Sequence, residues 1–308
     1  MPRTQRNTAG ATKPDWLKLP KAGGPTFARV SAAVHGLHLA TVCEQANCPN
    51  RGECWGQGTA TVMILGDTCT RNCRFCAVKS GHPLPPDPEE PRHVAEAAAR
   101  LKLSYVVITS VDRDDLADLG AGHFAATVRA LHEAIPEAPV EVLTPDFQGR
   151  RDLLAQVLEA RVTVFAHNIE VVRRLSPVMR DARSDYDRSL AVLKAAGELD
   201  SRIHTKSSLM VGLGETKEEL ARAMDDLREA GVSMVTFGQY LQPGRRQAPV
   251  LAYYHPDQFA ALEEQAREKG FAFVAAGPHV RSSYRAAELF VTRNVEASAG
   301  AREASGRP

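Results

Sequence analysis

The sequence predicts an α/β fold in which a parallel sheet curls into a partial (β/α)6 TIM-type barrel, with N-terminal and C-terminal extensions covering its open side. Two observations carry this expectation. From residue 61 onward, short apolar runs rich in β-branched residues alternate with longer amphipathic stretches, the sequence form of βα units around a parallel sheet. Six such units are countable, fewer than the eight that close a barrel, so the sheet is expected to stay open.

Residues 1–26 are rich in Thr, Lys, Pro and Gly, lack a hydrophobic period and read as a flexible arm in which Trp16 and Leu17 form a small anchor. A short helix is expected over 27–38. Residues 27–60 form a cysteine-bearing segment and 61–270 the barrel, followed by a C-terminal segment at 271–290 and a mobile tail at 291–308. Strands are expected at 61–65, 105–109, 140–143, 162–166, 204–211 and 234–240. Helices are expected between and after them, near 89–102, 122–134, 151–159, 184–196, 217–230 and 256–269. The prolines at 83–91 mark a loop.

Length and charge bound the function. With 308 residues and 44% apolar composition, the chain can bury a large core. Its 38 Lys and Arg nearly balance its 37 Asp and Glu, so no basic field speaks for nucleic acid. No apolar run approaches the ~20 residues that cross a bilayer, and residues 1–13 lack the apolar core of a secretory signal. A cytoplasmic monomer is expected, with no membrane partner. In a reducing compartment, six cysteines read as metal ligands or reactive thiols rather than as three disulfides.

All six cysteines fall between residues 43 and 76, in two triplets. Cys69-Thr-Arg-Asn-Cys73-Arg-Phe-Cys76 follows the first barrel strand and its Gly66 turn, which puts it at the C-terminal mouth where barrel chemistry collects. An iron–sulfur cube normally takes four thiolates. Three leave one iron open to a substrate, as an open zinc position makes a metal site catalytic. A zinc knuckle is the competing reading, although only Cys73 and Cys76 have its C-x2-C spacing. The other triplet, Cys43-Glu-Gln-Ala-Asn-Cys48-Pro-Asn-Arg-Gly-Glu-Cys54, carries Pro49, Asn50 and Gly52, which favour a tight loop over a helix face. No cysteine remains to complete either set.

The spacing C-x3-C-x2-C after the first barrel strand, with Phe75 before the last cysteine, resembles the radical S-adenosylmethionine (SAM) enzymes. Preceded by C-x4-C-x5-C, it resembles the lipoyl synthases among them. Supporting strings are Cys54-Trp55, Met63-Ile-Leu-Gly66, the run from Val107 to Asp115, Met210-Val-Gly-Leu-Gly-Glu-Thr216, and Gly277-Pro-His-Val-Arg-Ser-Ser-Tyr284 with its R-S-S-Y signature. The likeness runs from about residue 14 to 286.

That resemblance implies two 4Fe–4S clusters and SAM as cofactors. Cys69, Cys73 and Cys76 would bind the cluster that cleaves SAM. Cys43, Cys48 and Cys54 would bind an auxiliary cluster completed by Ser283, with Ser282 as the alternative. A serine oxygen is a harder ligand than a thiolate, which suits a cluster consumed as sulfur source. The implied reaction inserts sulfur at C6 and C8 of an octanoyl chain on a protein lysine, using two SAM. The implied carrier is the lipoyl domain of a 2-oxoacid dehydrogenase E2 subunit or the glycine-cleavage H protein, and the implied electron donor a ferredoxin or flavodoxin. Competing readings are a radical SAM enzyme that adds sulfur to a small molecule and a non-catalytic iron–sulfur or zinc protein.

The remaining candidates are less specific. Gly212, Gly214 and Glu215 open a helix where backbone N–H groups can meet SAM, as an ordinary βα turn also would. Asp112, Asp114 and Asp115 read as SAM-side or helix-capping residues, and Arg113 as a partner for a SAM or substrate oxygen. His35, His38, His204 and His279 read as structural. Arg173, Arg174, Arg180, Arg245 and Arg246 form a candidate basic patch for an acidic lipoyl domain. At 239–250 the family's histidine before L-P-V is missing, and Ser208 stands where glycine is common; both departures touch substrate-side loops.

Overall fold

The structure is a computed structural model that describes residues 13–19 and 23–283. Tyr284, the tail at 291–308 and residues 1–12 of the arm lie outside the described residues.

The strands are β1 (Ala40–Thr41), β2 (Val62–Ile64), β3 (Thr68–Cys69), β4 (Lys79–Ser80), β5 (Val106–Ser110), β6 (Val140–Leu143), β7 (Val164–Ala166), β8 (His204–Val211), β9 (Met234–Gln239) and β10 (Phe273–Gly277). The helices are α1 (Pro25–Gly36), α2 (Val42–Gln45), α3 (Arg51–Gly56), α4 (Glu90–Leu101), α5 (Ala121–Ala134), α6 (Arg151–Leu158), α7 (Ser176–Met179), α8 (Tyr186–Leu199), α9 (Lys217–Glu229) and α10 (Pro256–Glu268).

One sheet runs in the order β1-β2-β5-β6-β7-β8-β9-β10, every neighbouring pair parallel except β1 with β2. The predicted open α/β barrel is therefore the observed one, with a seventh parallel strand. The sheet continues to Gly277 instead of stopping near residue 270, because β10 pairs with β9 from Phe273 opposite Met234 to Gly277 opposite Gly238. β1 and β10 form the two edges of the sheet.

Near the N-terminus the expected anchor at Leu17 is present, and two boundaries differ. Leu17 in the Asp15–Leu17 turn is fully buried, and α1 begins at Pro25, where proline's fixed φ suits the first helical turn. The first cysteine segment is also more helical than its turn residues suggest. Cys43 lies in α2, capped by the Thr41 hydroxyl accepting from the Glu44 N–H, and Cys54 lies in α3. Asn47, at φ 49°, breaks the chain between them.

The core follows the βα pattern. One apolar cluster packs β2, β5 and β6 against α4, α5 and α6, with Phe124 edge-on to Phe147 at 6.1 Å. A second packs β8 and β9 against α9 and α10. Each buried Leu, Val or Phe contributes about 1.5–3 kcal/mol by leaving water. Inside the sheet, Lys206 on β8 donates to Glu141 on β6 at 2.7 Å, and the Tyr105 hydroxyl donates to the same carboxylate at 2.7 Å. That pair joins β8 to β6 across the intervening β7, where neither charge meets water.

Candidate active site

The site begins where β2 ends. Leu65 and Gly66 take φ values of 68° and 87°, a left-handed turn that is costly for leucine. Two bonds offset that cost: the Leu65 N–H donates to Glu90 at 2.7 Å, and its carbonyl accepts from Arg113 at 3.3 Å. The turn delivers β3, whose pairing with β4 ties off the ends of a loop holding Cys69, Cys73 and Cys76.

Each thiol in that loop faces a backbone N–H. Cys69 Sγ accepts from Arg71 and Asp112 at 3.4 and 3.3 Å, Cys73 Sγ from Asp181 at 3.3 Å, and Cys76 from Val78. Burial pushes the Cys69 and Cys73 thiols up to about 12 and Cys76 to about 11, with the N–H groups pulling the other way. Half-buried sulfurs that each face at least one backbone N–H suit thiolates that share their charge with a cluster.

Arg71, inside the loop, is 4% exposed and makes a bidentate pair with Asp114, meets Asp146 at 2.9 and 3.2 Å, and lies 3.3 Å from Asp112. Burial pushes the Asp112 carboxyl to about 6 against the pull of Arg71. Asp114 sits at about 2: burial raises it, and the Arg71 hydrogen bonds and charge outweigh that.

The other triplet converges on the same space. A single cavity of about 380 Å³ is lined by all six cysteines together with Ser282 and Ser283. The C-terminal segment reaches it by crossing Gly238, where a Cβ would stand 2.2 Å from the Val280 carbonyl oxygen. Asn50 donates to the His279 carbonyl at 2.5 Å, Thr61 donates to Ser283 Oγ at 3.0 Å, and Arg281 reaches Cys48. His279 also meets the Trp16 carbonyl at 3.1 Å, so the N-terminal anchor holds the same segment.

Two tests bear on what fills the cavity. Asn50 Oδ1, Ser110 Oγ and Asn168 Oδ1 line it buried and without a hydrogen-bond partner, which is costly unless a polar ligand pairs them. Among the described residues, no three of His, Cys, Asp or Glu are grouped closely enough to hold one metal ion. The sulfur donor set and its N–H groups fit clusters.

Several predicted residues stand elsewhere. The Glu215 carboxylate accepts from the N–H groups of Gly212 and Leu213 at 2.6 and 2.9 Å, and Gly212, Gly214 and Glu215 all lie off the cavity wall. Their turn backs Gln239, which does line the cavity: a Cβ on Gly212 would meet Gln239 Nε2 at 2.3 Å. Arg113 is buried against Asp115 and Leu65. Of the basic candidates, Arg173 pairs with Asp187 and Asp226, Arg174 with Glu219, and Arg180 lies inside the cavity; Arg245 and Arg246 are exposed.

Asn168 and Glu170 were missed. They follow β7 directly, at the strand end where barrel ligands bind, and that position was the available signal. Glu170 takes φ 67° and is held there by its N–H donating to the Ser208 carbonyl and its carbonyl accepting from Met210. Burial raises its carboxyl, and the Asn168 amide donates to it at 3.1 Å.

Residues 63–238 match the Radical SAM superfamily. The chain is 57% identical to a lipoyl synthase from Anaeromyxobacter sp. (strain Fw109-5) over 91% of this chain and 96% of that one. It is 55% identical to a lipoyl synthase from Thermus thermophilus over 91% and 87%. In fold it resembles the crystal structure of methylornithine synthase, with a TM-score of 0.52 at 12% identity over 72% of each chain. Fold and loop together define a radical SAM enzyme, a class that uses a 4Fe–4S cluster and SAM. Within that class the chain belongs to the lipoyl synthases, which insert sulfur. No helix among the described residues is long and apolar enough to cross a membrane.

Proposed function

We propose that this chain inserts two sulfur atoms, at C6 and C8, into an octanoyl chain on the lysine of a lipoyl-domain protein, with Cys69, Cys73 and Cys76 holding the SAM-cleaving cluster and Cys43, Cys48, Cys54 and Ser283 an auxiliary one. The observation that carries the reading is that both triplets and Ser283 line one cavity. When bound, the clusters and SAM supply the hydrogen-abstracting radical and the sulfur, chemistry no side chain can perform on an unactivated C–H bond.

The chain's own residues bind and orient. Arg71 fixes the loop between Cys69 and Cys73 against the ends of β5 and β6 through Asp112, Asp114 and Asp146. Glu170 and Asn168, linked at 3.1 Å, offer a carboxylate and a free amide oxygen to the polar groups of SAM. Met63, Val111, Leu143 and Leu209 give the wall an apolar part that suits an alkyl chain and keeps water from a radical. The turn of Gly212, Gly214 and Glu215 acts through Gln239, holding the SAM side of the cavity in shape.

The acceptor in this reading is the lipoyl domain of a 2-oxoacid dehydrogenase E2 subunit or the glycine-cleavage H protein. A ferredoxin or flavodoxin supplies electrons, and the enzyme works as a cytoplasmic monomer. The test is anaerobic incubation of reconstituted protein with dithionite, SAM and an octanoyl-lysine peptide. Dithiolated peptide with about two deoxyadenosines per product supports the assignment. SAM cleavage with no thiolated peptide moves the substrate elsewhere.

A further inference from the structure

Thr61 stands at the last residue before β2, is 6% exposed, and faces both ends of the auxiliary ligand set. Its backbone N–H points to the Cys43 thiol, and its hydroxyl donates to Ser283 Oγ at 3.0 Å. Its carbonyl accepts from the Val42 N–H at 3.2 Å, so all three of its polar groups are committed, and α2, the sheet and the C-terminal segment meet at one residue. Cys43 and Ser283 are 240 residues apart in sequence, and Thr61 is the residue that joins them.

We propose that Thr61 is the positioning residue for Ser283: it holds the serine oxygen beside the Cys43 sulfur as the fourth ligand of the auxiliary cluster. This rests on the ligand set proposed above. The physical case is one of freedom and charge. A serine side chain rotates freely about χ1, so an oxygen that must meet a cluster corner gains from a fixed partner. A hydrogen bond donated to that oxygen favours its charged, metal-binding form while leaving its other lone pair for iron. The rest of the segment is already placed by Asn50 on His279 and by the fit of Gly238 under Val280. Thr61 acts on the last step, the direction of one hydroxyl.

The test compares the reconstituted parent enzyme with Thr61→Val, which keeps shape and removes the hydroxyl, and Thr61→Ser, which keeps the hydroxyl. Thr61→Ala replaces the valine variant if valine disturbs folding by circular dichroism. Iron release to a chelator is followed anaerobically, with Mössbauer spectra of the same samples. The expected result is about tenfold faster loss of one auxiliary-cluster iron in Thr61→Val, with a changed signal for that iron and parent behaviour in Thr61→Ser, the low end of what outer ligand partners contribute. Unchanged or slower loss in Thr61→Val overturns the proposal, as does an equal acceleration when the change is made on Ser283→Ala. If Ser283→Ala alone keeps parent iron release and spectrum, the serine is not a ligand and the underlying ligand set fails instead.

Discussion

His167 shows what burial does to one residue here. Its ring meets the Thr144 carbonyl at 2.9 Å and the Ser189 hydroxyl at 3.0 Å, and burial together with nearby Arg180 lowers it to about 4 from the usual 6.5. The unfolded chain therefore takes up this proton at a higher pH than the native one. The stability due to neutral His167 is whole above pH 6.5 and is lost as pH falls towards about 4, by about 3 kcal/mol in the limit. Urea unfolding between pH 7 and 4 is expected to show that slope, and His167→Gln to flatten it; parallel profiles would refute the assignment. Local spacing made the cysteines legible, because ligands of one loop lie within a few residues of each other. The partners of His167 lie 22 and 23 residues away, and no local signal points to them.

At the scale of elements, Arg71 joins the cysteine loop to the ends of two strands. Asp112 and Asp114 follow β5 and Asp146 follows β6, so one guanidinium answers three carboxylates on two βα units. Arg71→Met removes the buried cation shared by the three, leaving Asp114 only Arg183 at 3.3 Å and Asp146 only Arg188 at 3.6 Å, and is expected to cost about 2–3 kcal/mol in urea unfolding of the cluster-free protein. Arg71→Lys keeps the charge without the fork and should lose less. A loss below about 1 kcal/mol in the methionine variant would show that the network is not structural. The long strands and helices were legible because their periodicity extends over whole elements. β10 was not: Phe273–Gly277 contains two alanines and a glycine, weak strand formers, and it is a strand because β9 offers an unpaired edge. β1 has two residues, too few for any period.

On the scale of the molecule, an open sheet is what permits the site. The segments Cys43 to Cys54 and Val280 to Ser283 both line the cavity, tied together through Asn50 and Thr61. The sequence shows that two three-cysteine sets exist and that each lacks a thiolate. It does not show by itself that they share one space, because that depends on how the sheet curls.

The most direct test removes one set at a time. The parent enzyme, Cys43→Ala/Cys48→Ala/Cys54→Ala and Cys69→Ala/Cys73→Ala/Cys76→Ala are each reconstituted, assayed for iron, and given dithionite, SAM and the octanoyl-lysine peptide. Two clusters predict about eight irons in the parent and about four in each variant. The first variant should still form deoxyadenosine but no thiolated peptide, and the second should form neither. Thiolated peptide from the first variant would contradict the account, since sulfur would then come from somewhere other than the cluster held by Cys43, Cys48 and Cys54.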